Sequence, residues 1–90
     1  MLIAVVDDKT YLRRSLRDKL STVESDIRIL FEAADGTEFL EKMKSAKEKP
    51  DVVLMDIEMN ELNGIETVQI AAPLYPSVKF LMLTVFDDDE

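Results

Sequence analysis

The stretch DVVLMD (residues 51–56) places an aspartate directly after an apolar run. A short apolar run of this kind predicts a strand that is buried on both faces. Asn63 and Gly64 follow a few residues later and mark a turn. The strand would therefore hold Asp56 rigidly at its carboxyl end, and the other acids of the chain indicate why.

Three further stretches predict strands. LIAVVDD (2–8) is a second buried run, and it ends in two acids. IRILFEA (27–33) alternates, with Ile27, Ile29 and Phe31 expected on one side, which is typical of an edge strand. VKFLMLT (78–84) is apolar and ends on Thr84. Four strands are therefore predicted, and three of them end in a carboxylate or a hydroxyl.

The segments between the strands predict three helices. From Lys9 onward, leucines recur every four residues, and the polar stretch 21–26 ends this first amphipathic helix. Asp35 and Glu38 have the spacing of a capping box at the start of a second helix, and Pro50 stops it. A third helix is predicted over 66–75, with Pro73 ending or kinking it early. The inner face of the second helix is expected to consist of Phe39, Leu40, Met43 and Ala46.

Strands that alternate with helices predict an α/β fold, in which a parallel sheet carries helices on both faces. Crossover connections should be right-handed. The sequence contains no internal repeat and no segment with the composition of a linker. We therefore expect residues 1–90 to belong to one domain.

The composition narrows the possible chemistry. The 90 residues include no cysteine and no histidine, which excludes disulfides, cysteine zinc sites and histidine general bases. The formal net charge of −8 disfavours direct binding to nucleic acid and suits a divalent cation or a basic protein. Good solubility alone would also explain this charge. No apolar run is long enough to span a bilayer. The expected location of the protein is the cytoplasm.

The strand-terminal acids predict a site at one edge of the sheet. Ligands of open parallel sheets bind beyond the carboxyl ends of the strands. If the first, third and fourth strands are neighbours, then Asp7, Asp8, Asp56 and Thr84 converge there. Three close carboxylates repel one another, and a hard divalent cation such as Mg²⁺ relieves that repulsion. A metal-bound aspartate could then attack phosphorus.

These residues resemble a known family. The segments AVVDD, DVVLMDIEM, NGIE and VKFLMLTVFDDDE are together similar to the receiver domain of two-component response regulators, in the subfamily with a helix-turn-helix output domain that binds DNA. The resemblance covers the whole chain. It implies a flavodoxin-like fold with strand order 2-1-3-4, and a phosphorylation-driven switch that controls transcription through an output domain.

The resemblance also implies roles for individual residues. Asp56 would accept a phosphoryl group from a phosphohistidine on a sensor histidine kinase. Asp8 would bind Mg²⁺ directly, Asp7 would support the site, and the backbone carbonyl of Glu58 would complete the metal sphere. Thr84 would be the switch hydroxyl. The family's first helix commonly docks the kinase, so Leu12, Arg13 and Leu16 are candidate partner contacts.

Two features depart from the family pattern. Receivers often carry proline and glycine where this sequence has Asn60 and Glu61, and we expect altered metal affinity or phosphoryl lifetime. A whole receiver also continues with another helix, a fifth strand that is followed by a lysine, and a fifth helix, none of which is expected within residues 1–90. We therefore expect an incomplete receiver whose fourth strand, Val78 to Thr84, is an exposed edge prone to self-association.

Other interpretations stay open at this point. A phosphatase or phosphotransferase enzyme with an aspartate nucleophile is the main alternative, since Glu58 lies two residues beyond Asp56, the spacing at which such enzymes place a general acid. That class, however, places its nucleophile on the first strand and needs a substrate cap. A piece without a competent site, acting only in self-association, is a third possibility. We favour the signalling receiver, which is not an enzyme beyond its own phosphorylation and dephosphorylation.

Overall fold

The computed structural model describes residues 1–23 and 26–83, in which strands and helices alternate along the chain. Apolar runs form the strands, and segments with leucine, phenylalanine or alanine at helical spacing form the helices between them. The elements are β1 (Leu2–Val6), α1 (Thr10–Val23), β2 (Arg28–Ala33), α2 (Gly36–Ser45), β3 (Val52–Asp56), α3 (Gly64–Leu74) and β4 (Lys79–Leu83).

The four strands form one parallel sheet in the order β2-β1-β3-β4, which confirms the predicted topology. β1 and β3 lie in the middle, and their central residues are fully or nearly fully buried. Helix α1 covers one face through Leu16 and Leu20, whereas α2 and α3 cover the other through Phe39 and Ala71. The two most buried strands are therefore the two that lead into the acids.

One detail of the strand pattern was predicted wrongly. Ile29 pairs with Ile3, but Phe31 pairs with Ala4, so the register shifts by one residue at Leu30. A bulge of this kind reverses the side-chain alternation beyond it. Ile27 and Ile29 therefore pack on the face covered by α1, whereas Phe31 packs on the opposite face, with its ring centroid 6.1 Å from that of Phe39.

Helix α2 begins as predicted. Asp35 is its N-cap, and its side chain accepts a 2.8 Å hydrogen bond from the Glu38 backbone N–H. The Glu38 carboxylate accepts from the Ala34 N–H at 2.6 Å, one residue before the cap. Of the predicted inner face, Phe39 and Met43 are fully buried. The capping signal therefore located this helix correctly.

Helix α3 begins earlier than predicted, and its proline does not cut it short. Asn63 and Gly64 are the N-cap and first residue of the helix, and Asn63 forms a complete capping box with Glu66. Pro73 lies in the last turn, and the helix continues to Leu74. An asparagine–glycine pair signals a turn and a helix start equally well, and here Glu66 at the third helical position distinguishes the two.

Strand β4 lies at the end of the sheet within the described part of the chain. Its side chains are half-buried or exposed, and Leu81 is 56% exposed. Thr84, the predicted switch hydroxyl, lies outside the described residues, as do the residues that follow it. Nowhere in residues 1–23 and 26–83 is there a helix with the length and apolar character needed to cross a membrane.

Candidate functional site

The acids at the ends of β1 and β3 come together as predicted. Val6 pairs with Met55, so Asp7 and Asp56 follow neighbouring positions of two adjacent strands. Asp7, Asp8 and Asp56 each offer a carboxylate oxygen, and these oxygens lie within 4.8 Å of one another. Asp7 and Asp56 are only 3% and 4% exposed, whereas Asp8 is half-buried. The sheet therefore concentrates negative charge where little water can screen it.

The two buried acids share one local arrangement. Asp7 Oδ1 accepts a hydrogen bond from the Lys9 backbone N–H at 2.9 Å. Asp56 Oδ1 accepts one from the Glu58 backbone N–H at 3.2 Å. In each case the chain turns at the end of the strand, and the amide two residues on holds one carboxylate oxygen. This bond fixes the orientation of the carboxylate and leaves its second oxygen for other contacts.

The second carboxylate oxygen of Asp56 stands out. Asp56 Oδ2 is buried and has no hydrogen-bond donor within residues 1–23 and 26–83. Burial raises the pKa of the Asp56 carboxyl, and the nearby charge of Asp7 raises it further. Asp56 is therefore a carboxylate with one satisfied oxygen and one oxygen that no described group satisfies.

A lysine lies against the acids. The Lys9 Nζ is 3.3 Å from Asp8 Oδ1, and this hydrogen bond raises the pKa of Lys9 above its ordinary value. Asp56 and Asp7 also attract the ammonium group, more weakly. The fixed charge of the site, three carboxylates and one ammonium, is therefore negative and suited to a cation.

A cavity of about 460 Å³ lies beside the acid cluster, and Asp8 is the member of the cluster that lines it. Its wall combines the end of β1 with the loop that connects β3 to α3. The lining residues are Asp8, Lys9, Ile57, Glu58, Met59, Asn60 and Asn63. A small anionic group such as phosphate fits a space of this volume, and Asp8 lies in its wall.

Two contacts hold the backbone at the ends of β1 and β3. The Arg13 guanidinium donates to the Asp7 backbone carbonyl and forms an ion pair with Glu32 at 3.3 Å. Gly64 packs so closely on the end of β3 that a Cβ there would lie 2.1 Å from the Asp56 carbonyl oxygen. These contacts with Asp7 and Glu32 leave the Arg13 side chain only 16% exposed.

The loop over the cavity contains a strained residue. Glu61 has φ of 61°, a left-handed conformation that costs a residue with a Cβ about 1–2 kcal/mol. This is the position where the resemblance led us to expect glycine. The presence of Glu61 in place of the family's glycine therefore changes the backbone geometry as well as the charge of the loop.

The structure places Glu58 near the site but does not describe Thr84. Glu58 lies beside the cavity, its side chain is exposed, and its N–H is bound to Asp56. Its predicted role as a carbonyl ligand stays a prediction, as do the roles of Asp7, Asp8 and Asp56. The prediction for Thr84 falls outside the described residues. The site thus rests on the three acids.

Sequence reasoning missed Lys9 and the packing of Gly64. Lys9 follows the acid pair directly, so its position in the chain was a usable signal. The close approach of Gly64 depends on how α3 packs against β3, and a glycine in the sequence does not specify its neighbour.

The acids fit a hard divalent cation. Their ligand atoms are all oxygens, their charges repel without a counter-ion, and Asp56 Oδ2 is a buried polar atom without a donor in the described ranges. Mg²⁺ typically uses one or two carboxylates and keeps several waters, which an open cavity allows. The residues present therefore suit Mg²⁺ better than a softer metal.

Comparison with known proteins gives consistent results. A model of the response regulator receiver domain matches residues 3–90. The chain is 37% identical over 90 residues to the uncharacterised transcriptional regulatory protein YhcZ of Bacillus subtilis, covering 100% of this chain and 41% of that protein. It is 40% identical over 89 residues to the response regulator VraR of Staphylococcus aureus, covering 98% and 41%. The chain thus spans less than half the length of these curated relatives.

Solved structures share the fold. The response regulator domain of Thermotoga maritima CheB superposes with a TM-score of 0.83 at 32% identity, covering 99% of this chain and 63% of that one. CheY of Borrelia burgdorferi, in a complex with CheX, BeF₃ and Mg²⁺, gives a TM-score of 0.85 at 22% identity, covering 99% and 65%. At that lower identity the likeness concerns the fold alone.

Proposed function

The chain belongs to the response regulator receiver domain family, and we propose that it is the phosphoryl-accepting switch of a two-component system, with Asp56 as the acceptor. One observation carries this assignment to Asp56. It is a nearly fully buried carboxylate at the end of a central strand, with one oxygen held by Glu58 N–H and the other without a donor among the described residues.

The residues of this chain position the groups that take part in phosphoryl transfer. An oxygen of Asp56 forms a bond to phosphorus while the bond from phosphorus to the donor's imidazole nitrogen breaks, and that nitrogen keeps the electron pair. The Glu58 N–H holds the carboxylate in place, and the cavity lined by Asp8 and Glu58 would receive the phosphoryl group. Positioning and electrostatics supply most of the catalysis in phosphoryl transfer.

Mg²⁺ is part of the proposal. Asp7, Asp8 and Asp56 would hold it, together with the Glu58 backbone carbonyl, and Thr84 would be the switch hydroxyl. The bound ion would neutralise charge that develops on the phosphoryl oxygens. The three carboxylate oxygens that lie within 4.8 Å of one another support the choice of this metal.

A small-molecule phosphodonor tests the assignment. Incubation with acetyl phosphate and Mg²⁺ should add one phosphoryl group, detected by intact mass and located at Asp56 by peptide mapping. Asp56→Asn should abolish the adduct. The matched control is Asp51→Asn at the opposite end of β3, where the Asp51 side chain accepts a hydrogen bond from Leu2 N–H at 2.8 Å. An adduct that persists in Asp56→Asn, or none in the wild type, would contradict the proposal.

The enzyme alternative has less support. Asp56 ends the third strand, whereas aspartate-nucleophile phosphatases carry the nucleophile on the first. The Glu58 side chain, the candidate general acid, is exposed. Sustained turnover of a small phosphate ester would favour the enzyme over the switch. We therefore propose a signalling domain that catalyses only its own phosphorylation and dephosphorylation.

The relatives suggest the wider setting. YhcZ and VraR are a transcriptional regulatory protein and a response regulator, so we propose that this domain controls transcription in the cytoplasm through a separate output region, with a sensor histidine kinase as donor. We also propose self-association through the edge of β4, where Leu81 is exposed. Light scattering that shows a stable monomer at high protein concentration would contradict that last point.

A further inference from the structure

Lys9 occupies an unusual place in the acid cluster. Its backbone N–H donates to Asp7 Oδ1, its Nζ lies 3.3 Å from Asp8 Oδ1, and the residue lines the cavity. One residue thus contacts two of the three acids through two different groups. The backbone contact survives any substitution of the side chain except proline, so the role of the ammonium can be tested separately.

The ammonium lies where the helix itself does not favour it. Lys9 immediately precedes α1, and its carbonyl accepts hydrogen bonds from the Leu12 and Arg13 amides of that helix. The N-terminal end of a helix carries partial positive charge and disfavours a lysine. The carboxylates compensate for this, and Asp8 in particular holds the ammonium at the mouth of the site.

The contact between Lys9 and Asp8 is easily broken. The Lys9 side chain is 42% exposed and that of Asp8 is 25% exposed, so water screens the pair. A divalent cation bound to Asp8 carries twice the charge of the ammonium and draws on the same carboxylate. Because the ammonium and the cation repel each other, contact of either one with Asp8 weakens the contact of the other.

We propose that Lys9 is a built-in counter-ion that competes with the divalent cation for Asp8, and so sets the affinity of the site for that cation. This inference rests on the proposed function, since it assumes a cation at the three acids. In the cation-free protein the ammonium partly neutralises the cluster. When the cation binds, the ammonium leaves Asp8 and turns toward the solvent in the cavity.

Titration with MgCl₂ by calorimetry tests the proposal at low ionic strength. Lys9→Gln should bind Mg²⁺ roughly three- to fivefold more tightly than the wild type, the size expected for a screened ion pair. Lys9→Arg should stay near the wild type because it keeps the charge. Lys44→Gln, on the exposed face of α2, makes the same change in net charge away from the site and should differ little from the wild type.

Chemical labelling gives an independent readout. Limited acetylation of lysine amines, mapped by mass spectrometry, should modify Lys9 faster when Mg²⁺ is added, whereas Lys44 should be unchanged. A lysine that only stabilises the fold would show no such response. Unchanged Lys9 labelling, or equal Mg²⁺ affinity in Lys9→Gln and Lys44→Gln, would overturn the proposed competition but not the proposed metal site. Absence of Mg²⁺ binding in every variant would overturn both the competition and the proposed metal site.

Discussion

The ends of β1 and β3 have similar side-chain contacts but differ in the contacts that hold their backbone. Both place a buried aspartate beyond an apolar strand, and both hold one carboxylate oxygen with the amide two residues on. Behind β1 the Asp7 carbonyl accepts from the long side chain of Arg13, whereas behind β3 the Asp56 carbonyl packs against the backbone of Gly64. The backbone at the end of β1 is therefore held by an adjustable side chain, whereas that at the end of β3 is held by rigid backbone packing.

Gly64→Ala should have the largest effect on stability. The new Cβ would lie 2.1 Å from the Asp56 carbonyl oxygen, and backbone cannot move aside cheaply. We expect a loss of about 3 kcal/mol in the free energy of unfolding, measured by urea denaturation. Ile65→Ala is the control, since this neighbouring residue of α3 is 50% exposed and its truncation should cost little. An equal loss in both variants would show that the β3 end is no more rigid than its surroundings.

Arg13→Gln tests the β1 end and should cost less, about 2 kcal/mol. It leaves the Asp7 carbonyl and the Glu32 carboxylate without this charged donor, but the neighbouring groups can shift or admit water. Arg14→Gln, at the next position of α1, should be nearly neutral. If Arg13→Gln proved as harmful as Gly64→Ala, the distinction between an adjustable and a rigid strand end would fail.

Asp56→Asn should stabilise the metal-free protein at neutral pH by about 1–2 kcal/mol, since it removes a buried charge that faces Asp7. Because burial raises the pKa of Asp56, the folded state holds that proton more tightly than the unfolded state does. The wild type therefore loses stability as the pH rises from about 3.8, the ordinary value, through the raised pKa.

The advantage of this variant should accordingly disappear below about pH 3.8, where the wild-type carboxyl is protonated in both the folded and the unfolded state. Unfolding curves of both proteins across this pH range measure the difference. A stability gain that does not change with pH would contradict the assignment of the effect to the charge of Asp56.

Glu61→Gly should have the smallest effect, a gain of about 1 kcal/mol, because glycine adopts a φ of 61° without strain. Glu61→Gln keeps the strain and removes only the charge, so its stability should match the wild type. Magnesium titration of both variants then separates the influence of charge on the cation site from that of the backbone. Equal stability of Glu61→Gly and Glu61→Gln would show that the loop relaxes without cost.

Local signals in the sequence predicted what depends on neighbours along the chain. The apolar runs located β1, β3 and β4, and the spacing of Asp35 and Glu38 located the start of α2. Given a parallel sheet in which the first and third strands are neighbours, the acids at their ends were expected to converge, and the approach of their oxygens to within 4.8 Å of one another confirms this. The site was therefore predictable because strand ends share one edge of the sheet.

The errors concern features that packing decides. The shift at Leu30 turns Phe31 to the opposite face, where it packs near Phe39, although the sequence alternates without interruption. Asn63 and Gly64 began a helix instead of a separate turn, and only the position of Glu66 indicated that. The ion pair of Arg13 with Glu32 joins residues on different elements, and no local pattern specifies it.

The loop between β3 and α3 is tied at two points, since Gly64 N–H donates to the Ile57 carbonyl at 3.0 Å and Gly36 N–H donates to the Leu62 carbonyl at 3.3 Å. The first bond closes the loop into a ring, and the second anchors that ring to the start of α2. Residues 58–61 lie between these two points, and Glu58, Met59 and Asn60 line the cavity. A small anion entering from solvent would therefore meet a loop that is closed at its base and anchored to the first residues of two helices.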